Sequence, residues 1–177
     1  MEWRARLLGN AAVVLVALTS ALTLVRLLQM PVELGYDTVM VMRLNEALYP
    51  HLTYVGGAVE SLAVVVTITL AVAERRTNRF RLALPAAALS AGALLLWVTV
   101  VQPANGVFDT WARQPPPPDW HAWRLRWELG QIGNLVLVNV ALLLLLAAVT
   151  GRRTAGRERG PGAVRQGSHA SGQPLGG

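Results

Sequence analysis

Four stretches of the chain are apolar almost without interruption: Leu7 to Gln29, His51 to Ala73, Leu82 to Val101 and Gly130 to Val149. Each is close to the ~20 residues that a helix needs to cross the ~30 Å hydrocarbon layer of a bilayer, so the pattern predicts four membrane-spanning helices. A different pattern holds from Thr38 to Tyr49, where Val39, Met42, Leu44 and Leu48 alternate with polar positions at helical spacing. That segment is expected to form a short amphipathic helix on the membrane surface or across the end of the bundle. Within the connection 102–129, Pro115 to Pro118 favour an extended polyproline spacer. From Gly151 on, Gly, Arg, Ser and Pro dominate with no apolar period, which predicts a disordered tail over 151–177. The expected fold is all-α: a membrane-spanning four-helix bundle over residues 1–150, a short helix on its outer face, and the disordered tail.

Composition agrees with a membrane protein and removes several chemistries. Apolar residues make up 53% of the chain and charged residues 15%, against about 25% charged in a soluble domain. All 16 basic residues are Arg. The absence of Lys excludes Schiff-base catalysis and the phosphate-loop lysine. Cysteine is also absent, which excludes disulfides, thiolate metal sites, iron–sulfur clusters and cysteine redox relays. The three histidines, His51, His121 and His169, fall at a helix mouth, in a connection and in the tail. No pair of them can clamp a transmembrane haem, and no Gly-rich phosphate loop or Gly-x-Ser-x-Gly elbow appears. An enzyme built from this chain is expected to work without a cofactor or metal.

The net charge of +6 is not a nucleic-acid footprint, because the Arg residues cluster beside the apolar stretches; the expected partner is the lipid bilayer. Eleven Arg lie in the N-terminal segment, the second connection and the tail, whereas four lie in the first and third connections. Positive segments resist translocation, so both termini are expected on the cytoplasmic side of the cell (inner) membrane. The first span also resembles a signal peptide behind Arg4 and Arg6. Its apolar run exceeds the ~7–15 residues of a signal core and no small-x-small site follows, so it is read as a retained span.

Within this apolar frame a few polar residues stand out. Glu60 lies nine residues into the second span, about 13–14 Å below its outer end, near the bilayer middle. Intramembrane acids face a bundle interior or a wet cavity and mark functional sites, although a protonated Glu that only hydrogen-bonds a neighbouring helix is the structural alternative. Thr53, Gly56, Gly57, Glu60, Ala63 and Thr67 recur at three- and four-residue spacing, so small and polar groups share one stripe where helices can approach closely. In the last span Glu128, Gln131, Asn134 and Asn139 fall within an arc of about 140°. Counting from the outer helix ends places Ser20, Glu60, Gly92 and Asn139 in one layer. Arg26 is expected either to snorkel outward or to reach Glu60 as its electrostatic partner. The third span is Ala-rich and is expected to be the close-packing helix. Trp111, Trp120, Trp123 and Trp127 fit an interfacial aromatic belt or, alternatively, a stacking surface for an aromatic ligand.

Several of these residues carry a family resemblance. Tyr49-Pro50 through Gly56-Gly57 and Glu60, then Pro103-x-Asn105, Asp119-Trp120, Arg124 and Arg126-Trp127-Glu128-x-Gly130 resemble the anthrone-oxygenase-like family of four-helix membrane proteins, mostly of unknown function. The resemblance covers roughly residues 10–150. With the residues read above, it points to a cofactor-free, oxygenase-like enzyme acting on an aromatic or quinone-like small molecule as one hypothesis. In it Glu60 is the catalytic acid or base and Arg26 its electrostatic partner, the outer Trp cluster is the entrance, and Asn105, Trp127, Glu128, Gln131, Asn134 and Asn139 are the candidate binding residues. Members commonly have a His where this chain has Gln131, and often an Arg where it has Asn134. A Gln amide cannot act as a base near neutral pH, so the fold carries over more directly than the reaction. The alternative is a non-enzymatic membrane protein that binds an apolar small molecule or stabilises a partner, the polar stripe then only joining helices.

The Arg distribution has a direct test. A reporter fused after Gly151 is expected to lie on the cytoplasmic face; protease digestion of the reporter from the outer face would overturn the orientation.

Overall fold

Long apolar segments in lipid must satisfy their backbone groups internally, and a continuous helix does so. The computed structural model describes residues 2–33, 35–47, 49–111 and 114–157. It consists of α1 (Glu2–Glu33), α2 (Thr38–Ala47), α3 (Tyr49–Glu74), α4 (Phe80–Leu96), a π-helical turn (Trp97–Val101), α5 (Gln102–Trp111) and α6 (Trp120–Arg157). Four helical units are long and apolar enough to cross a bilayer: Trp3–Glu33, His51–Glu74, Phe80–Trp111 and Trp120–Thr150. They form an antiparallel bundle in the cyclic order α1, α3, α4, α6. Across all four, large apolar side chains such as Val14, Leu62, Val65, Leu95 and Leu143 remain exposed. A surface of that kind suits hydrocarbon rather than water.

The helices run further than the apolar stretches that announced them. Most of the connection expected over 102–129 is helical: α5 prolongs the third span, and α6 begins at Trp120 rather than Gly130. The Pro-rich segment keeps no regular structure over 115–117. Tyr49, the expected last residue of the surface helix, belongs to α3, and the surface helix is described over Thr38–Ala47. Its start is fixed by Asp37, whose Oδ1 accepts a hydrogen bond from the Met40 backbone N–H at 2.8 Å, an N-cap. At the other end of the chain α6 is helical through Arg157, seven residues into the segment expected as the tail. The rest of the expected tail lies outside the described residues.

Small side chains set the packing. Ala12, Ala63, Ala86, Ala93 and Ala141 are buried with Val16, Leu70, Val138 and Leu145 in the main core, and α4 also buries Ala83, Ala87 and Ser90. In lipid there is no hydrophobic drive to bring helices together, and such residues allow the backbones to approach. At the α2 end a second cluster joins Val101, Ala104, Phe108 and Trp127, with Val41, Leu44, Leu52, Trp97, Trp111 and Trp123 packed around it.

The π-helical turn lies just before Pro103. A proline ring in a regular α-helix would collide with the carbonyl four residues back, here that of Thr99, and could not bond to it. The wider turn relieves the conflict, and the Gln102 N–H bonds to the Trp97 carbonyl, five residues back. The turn presses Val100 and Val101 against α6 at Gly130, where a Cβ would lie 2.9 Å from Val101 Cγ2 and 3.1 Å from Val100 Cγ1. It also directs Trp97 at Gly57, where a Cβ would lie 3.1 Å from the ring. Gly56 differs, since a Cβ there would meet nothing within 4 Å.

These contrasts predict opposite outcomes for two Gly→Ala changes. Gly130→Ala is expected to destabilise the bundle by about 1–3 kcal/mol, because the stiff Val side chains opposite cannot yield. Gly56→Ala is expected to stabilise it by about 0.5–1 kcal/mol through helix preference alone. Thermal unfolding of the detergent-solubilised protein checks both.

Candidate functional site

The centre of the bundle is built on one side-chain amide. Asn134, on α6, is 2% exposed. Its Nδ2 donates to Glu60 Oε1 on α3 at 2.8 Å and to the Ala93 carbonyl on α4 at 3.1 Å. Its Oδ1 lies 3.4 Å from the Thr23 hydroxyl on α1, which also donates to the Thr19 carbonyl at 2.9 Å. All four spans therefore meet at this residue. Glu60 is 5% exposed and faces the interior, as its stripe predicts; Ala63 and Thr67 of that stripe are buried with it.

Two members of the layer expected from depth counting do meet, the Ser20 hydroxyl donating to Asn139 Oδ1 at 3.1 Å, with Asn139 Nδ2 turned back to the Leu135 carbonyl; among the described residues Glu60 is not bonded to either of them. The partner of Glu60 lies five residues earlier on α6. The five-residue step from Asn134 to Asn139 corresponds to about 7–8 Å along α6 at 1.5 Å per residue, and α6 starts at Trp120, ahead of its apolar run at Gly130, so the apolar run does not mark the end of the helix. Gly92 takes no part: α4 contributes the Ala93 carbonyl.

Arg26 takes neither expected course. Its side chain is 11% exposed, so it does not snorkel to the surface, and it bonds Gln29 Oε1 at 3.0 Å and Glu33 Oε1 at 3.1 Å on its own helix. Its guanidinium lies 4.7 Å from the centroid of the Trp127 ring, a cation–π contact. Trp127 is buried rather than part of an interfacial belt, and its Nε1 donates to Asn105 Oδ1 at 2.7 Å. Arg124 and Glu33 complete the arrangement. Arg124 Nε donates to Glu128 Oε1 at 2.9 Å and its Nη2 to the Glu33 carbonyl at 2.6 Å, satisfying a carbonyl that the end of α1 leaves open. The roles of Glu33 and Arg124 were missed in the sequence. The available signal was the four-residue spacing of Arg124 and Glu128, which places opposite charges together on a helix.

Above the Glu60–Asn134 pair lies a cavity of about 120 Å³. Of the residues expected at the site, it brings together Glu60, Arg26, Asn105, Trp127, Gln131 and Asn134. It leaves out Asn139, held deeper in the bundle with Ser20, and Glu128, paired with Arg124. Trp97 is an unexpected wall, placed there by the π-helical turn. Leu22, Val25, Leu52, Thr53 and Gly56 close the circuit between α1 and α3. An apolar cavity of about 150 Å³ can hold a benzene ring, so this one accommodates a single aromatic ring or a few waters. Among the described residues, no hydrogen bond engages Glu60 Oε2, so that oxygen is the polar valence left for an occupant. Among the described residues no three His, Asp or Glu side chains converge as a metal-ligand set. No protein-family model, curated protein or solved structure matches the chain.

The amide node predicts a steep loss on substitution. Asn134→Leu leaves Glu60 buried without its donor and is expected to cost about 1–3 kcal/mol. Adding Glu60→Leu should recover part of that loss, because both polar partners are then removed. Unfolding of the single and double variants in mixed micelles checks the pattern.

Proposed function

We propose that this multi-pass membrane protein binds a planar aromatic small molecule, one ring of which enters the cavity between Trp97 and Trp127 and meets Glu60. The observation that carries the reading is Glu60 itself: an almost completely buried carboxyl, one oxygen held by Asn134, on the wall of a cavity also lined by two tryptophans. Intramembrane acids of this kind mark functional sites, and indole rings suit aromatic ligands. The α2 end of the bundle faces outward and both termini lie in the cytoplasm, on the Arg distribution, with the cell (inner) membrane as the site.

The resemblance to the anthrone-oxygenase-like family supports a reaction as well as binding. In that reading Glu60 takes a proton from an activated ring CH₂. The resulting carbanion gives its electron pair to molecular oxygen, the peroxide formed loses water, and the CH₂ becomes a carbonyl. No cofactor is consumed. Gln131 occupies the cavity wall where that family commonly has His, and its amide cannot accept the proton. The role of base therefore falls to Glu60, positioned by Asn134. Arg26, paired with Glu33, contributes a hydrogen-bonding guanidinium to the wall. The bond from Asn134 to the Ala93 carbonyl favours a second reading, in which the polar node only joins the helices of a non-enzymatic binder.

Anthrone and oxygen supplied to the purified protein distinguish these readings. The enzyme reading expects anthraquinone to form above the background rate, and Glu60→Gln, which keeps a hydrogen-bonding group but no base, to lower that rate by about a hundredfold or more with an unchanged melting temperature. Quenching of tryptophan emission by naphthol without turnover would leave the binder. A fully active Glu60→Gln would remove the carboxyl from the chemistry.

A further inference from the structure

The walls of the cavity are unequal. Toward the α2 end it is roofed by the apolar cluster of Phe108, Trp111 and Trp127 with Val41 and Leu44, and the Trp127–Asn105 hydrogen bond fixes the roof in place. Between α1 and α6 the Arg26–Glu33 and Arg124–Glu128 pairs fill the space, leaving only about 10 Å³ beside Arg26, about the volume one water occupies. Between α4 and α6, Val100 and Val101 press on Gly130, and Leu96 on Gly133. Between α3 and α4, Trp97 covers Gly57.

The fifth wall, the seam between α1 and α3, is thin. It consists of Leu22 and Val25 facing Thr53 and Gly56. Val25 is 49% exposed on the apolar surface of the bundle, and nothing lies within 4 Å of where a Gly56 Cβ would be. Both sides of this seam belong to helices long and apolar enough to span a bilayer, Trp3–Glu33 and His51–Glu74, so an opening there would face hydrocarbon.

We infer that the site takes its ligand sideways from the bilayer, through the α1–α3 seam at Val25 and Gly56, and that the ligand class is therefore a neutral, membrane-dissolved aromatic. The inference rests on the reading of the cavity as a ligand site and adds the route and the solubility class. Size points the same way. A cavity of about 120 Å³ holds one ring, whereas sites that enclose a drug-sized ligand measure about 300–1,000 Å³. The remainder of a polycyclic ligand lies in the seam, where only apolar groups are stable. A charged ligand has no such option, because its ionic part would have to remain in hydrocarbon.

The cysteine-free sequence makes a clean test. Full-length Gly56→Cys is reconstituted into phospholipid vesicles and exposed either to pyrene maleimide, which dissolves in the bilayer, or to a sulfonate-bearing methanethiosulfonate, which stays in water. The expected result is labelling by the pyrene reagent, none by the sulfonate, and loss of the pyrene labelling in saturating naphthol. Thr53→Cys, on the same seam, provides the measurement should Gly56→Cys fold poorly. Labelling by the sulfonate reagent that naphthol blocks would overturn the lateral route while leaving the ligand site intact. Pyrene labelling that naphthol does not affect, or no labelling by either reagent, would overturn the ligand site and the inference with it.

Discussion

The Asn134 amide is the constraint on which the rest of the bundle depends. Helices in lipid gain nothing from hiding apolar surface, since the tails around them are equally apolar, so their association relies on packing and on polar bonds between spans. One residue here supplies bonds to the other three: Glu60 on α3, the Ala93 carbonyl on α4 and Thr23 on α1. The Ala93 carbonyl is reachable because Ala93 and its neighbours on α4 are small enough for α6 to come close. Register, rotation and depth of all four helices are thereby tied to a single point near the centre of the bundle.

Two opposite uses of glycine shape the volume around that point. At Gly130 the missing side chain admits the valines of the π-helical turn, and at Gly57 it admits the Trp97 ring. At Gly56 the space stays empty and becomes part of the cavity. The π-helical turn links these effects, for the same local widening that accommodates Pro103 rotates Trp97 toward α3 and Val101 toward α6. A cavity thus arises beside a well-packed core, without any helix departing from the bundle.

The charges show how the site keeps its polarity local. Arg26 and Arg124 would be costly in an apolar bundle if unpaired, and each is held by a carboxylate, with a Trp127 face also under Arg26. Glu60 has an amide as its partner and one oxygen without a hydrogen bond among the described residues. That asymmetry separates Glu60 from Arg26, which lines the same cavity but is already paired with Glu33.

The sequence by itself determined the elements whose cause is local. Unbroken apolar runs require spanning helices in lipid, the amphipathic stretch between the first two requires a short helix, and the small-residue stripe on α3 turns Glu60 inward. The arrangement of the polar residues was decided by tertiary structure. Asn134 rather than Asn139 meets Glu60 because depth depends on where helices actually begin, and α6 and α5 extend into segments whose composition reads as connection. Arg26 turns to Glu33, seven residues along its own helix, and to Trp127, which the packing of α6 on α1 brings into reach. A side-chain amide has several possible partners within its reach. The three-dimensional register of four helices selects among them, and that register is a collective property that no single span encodes.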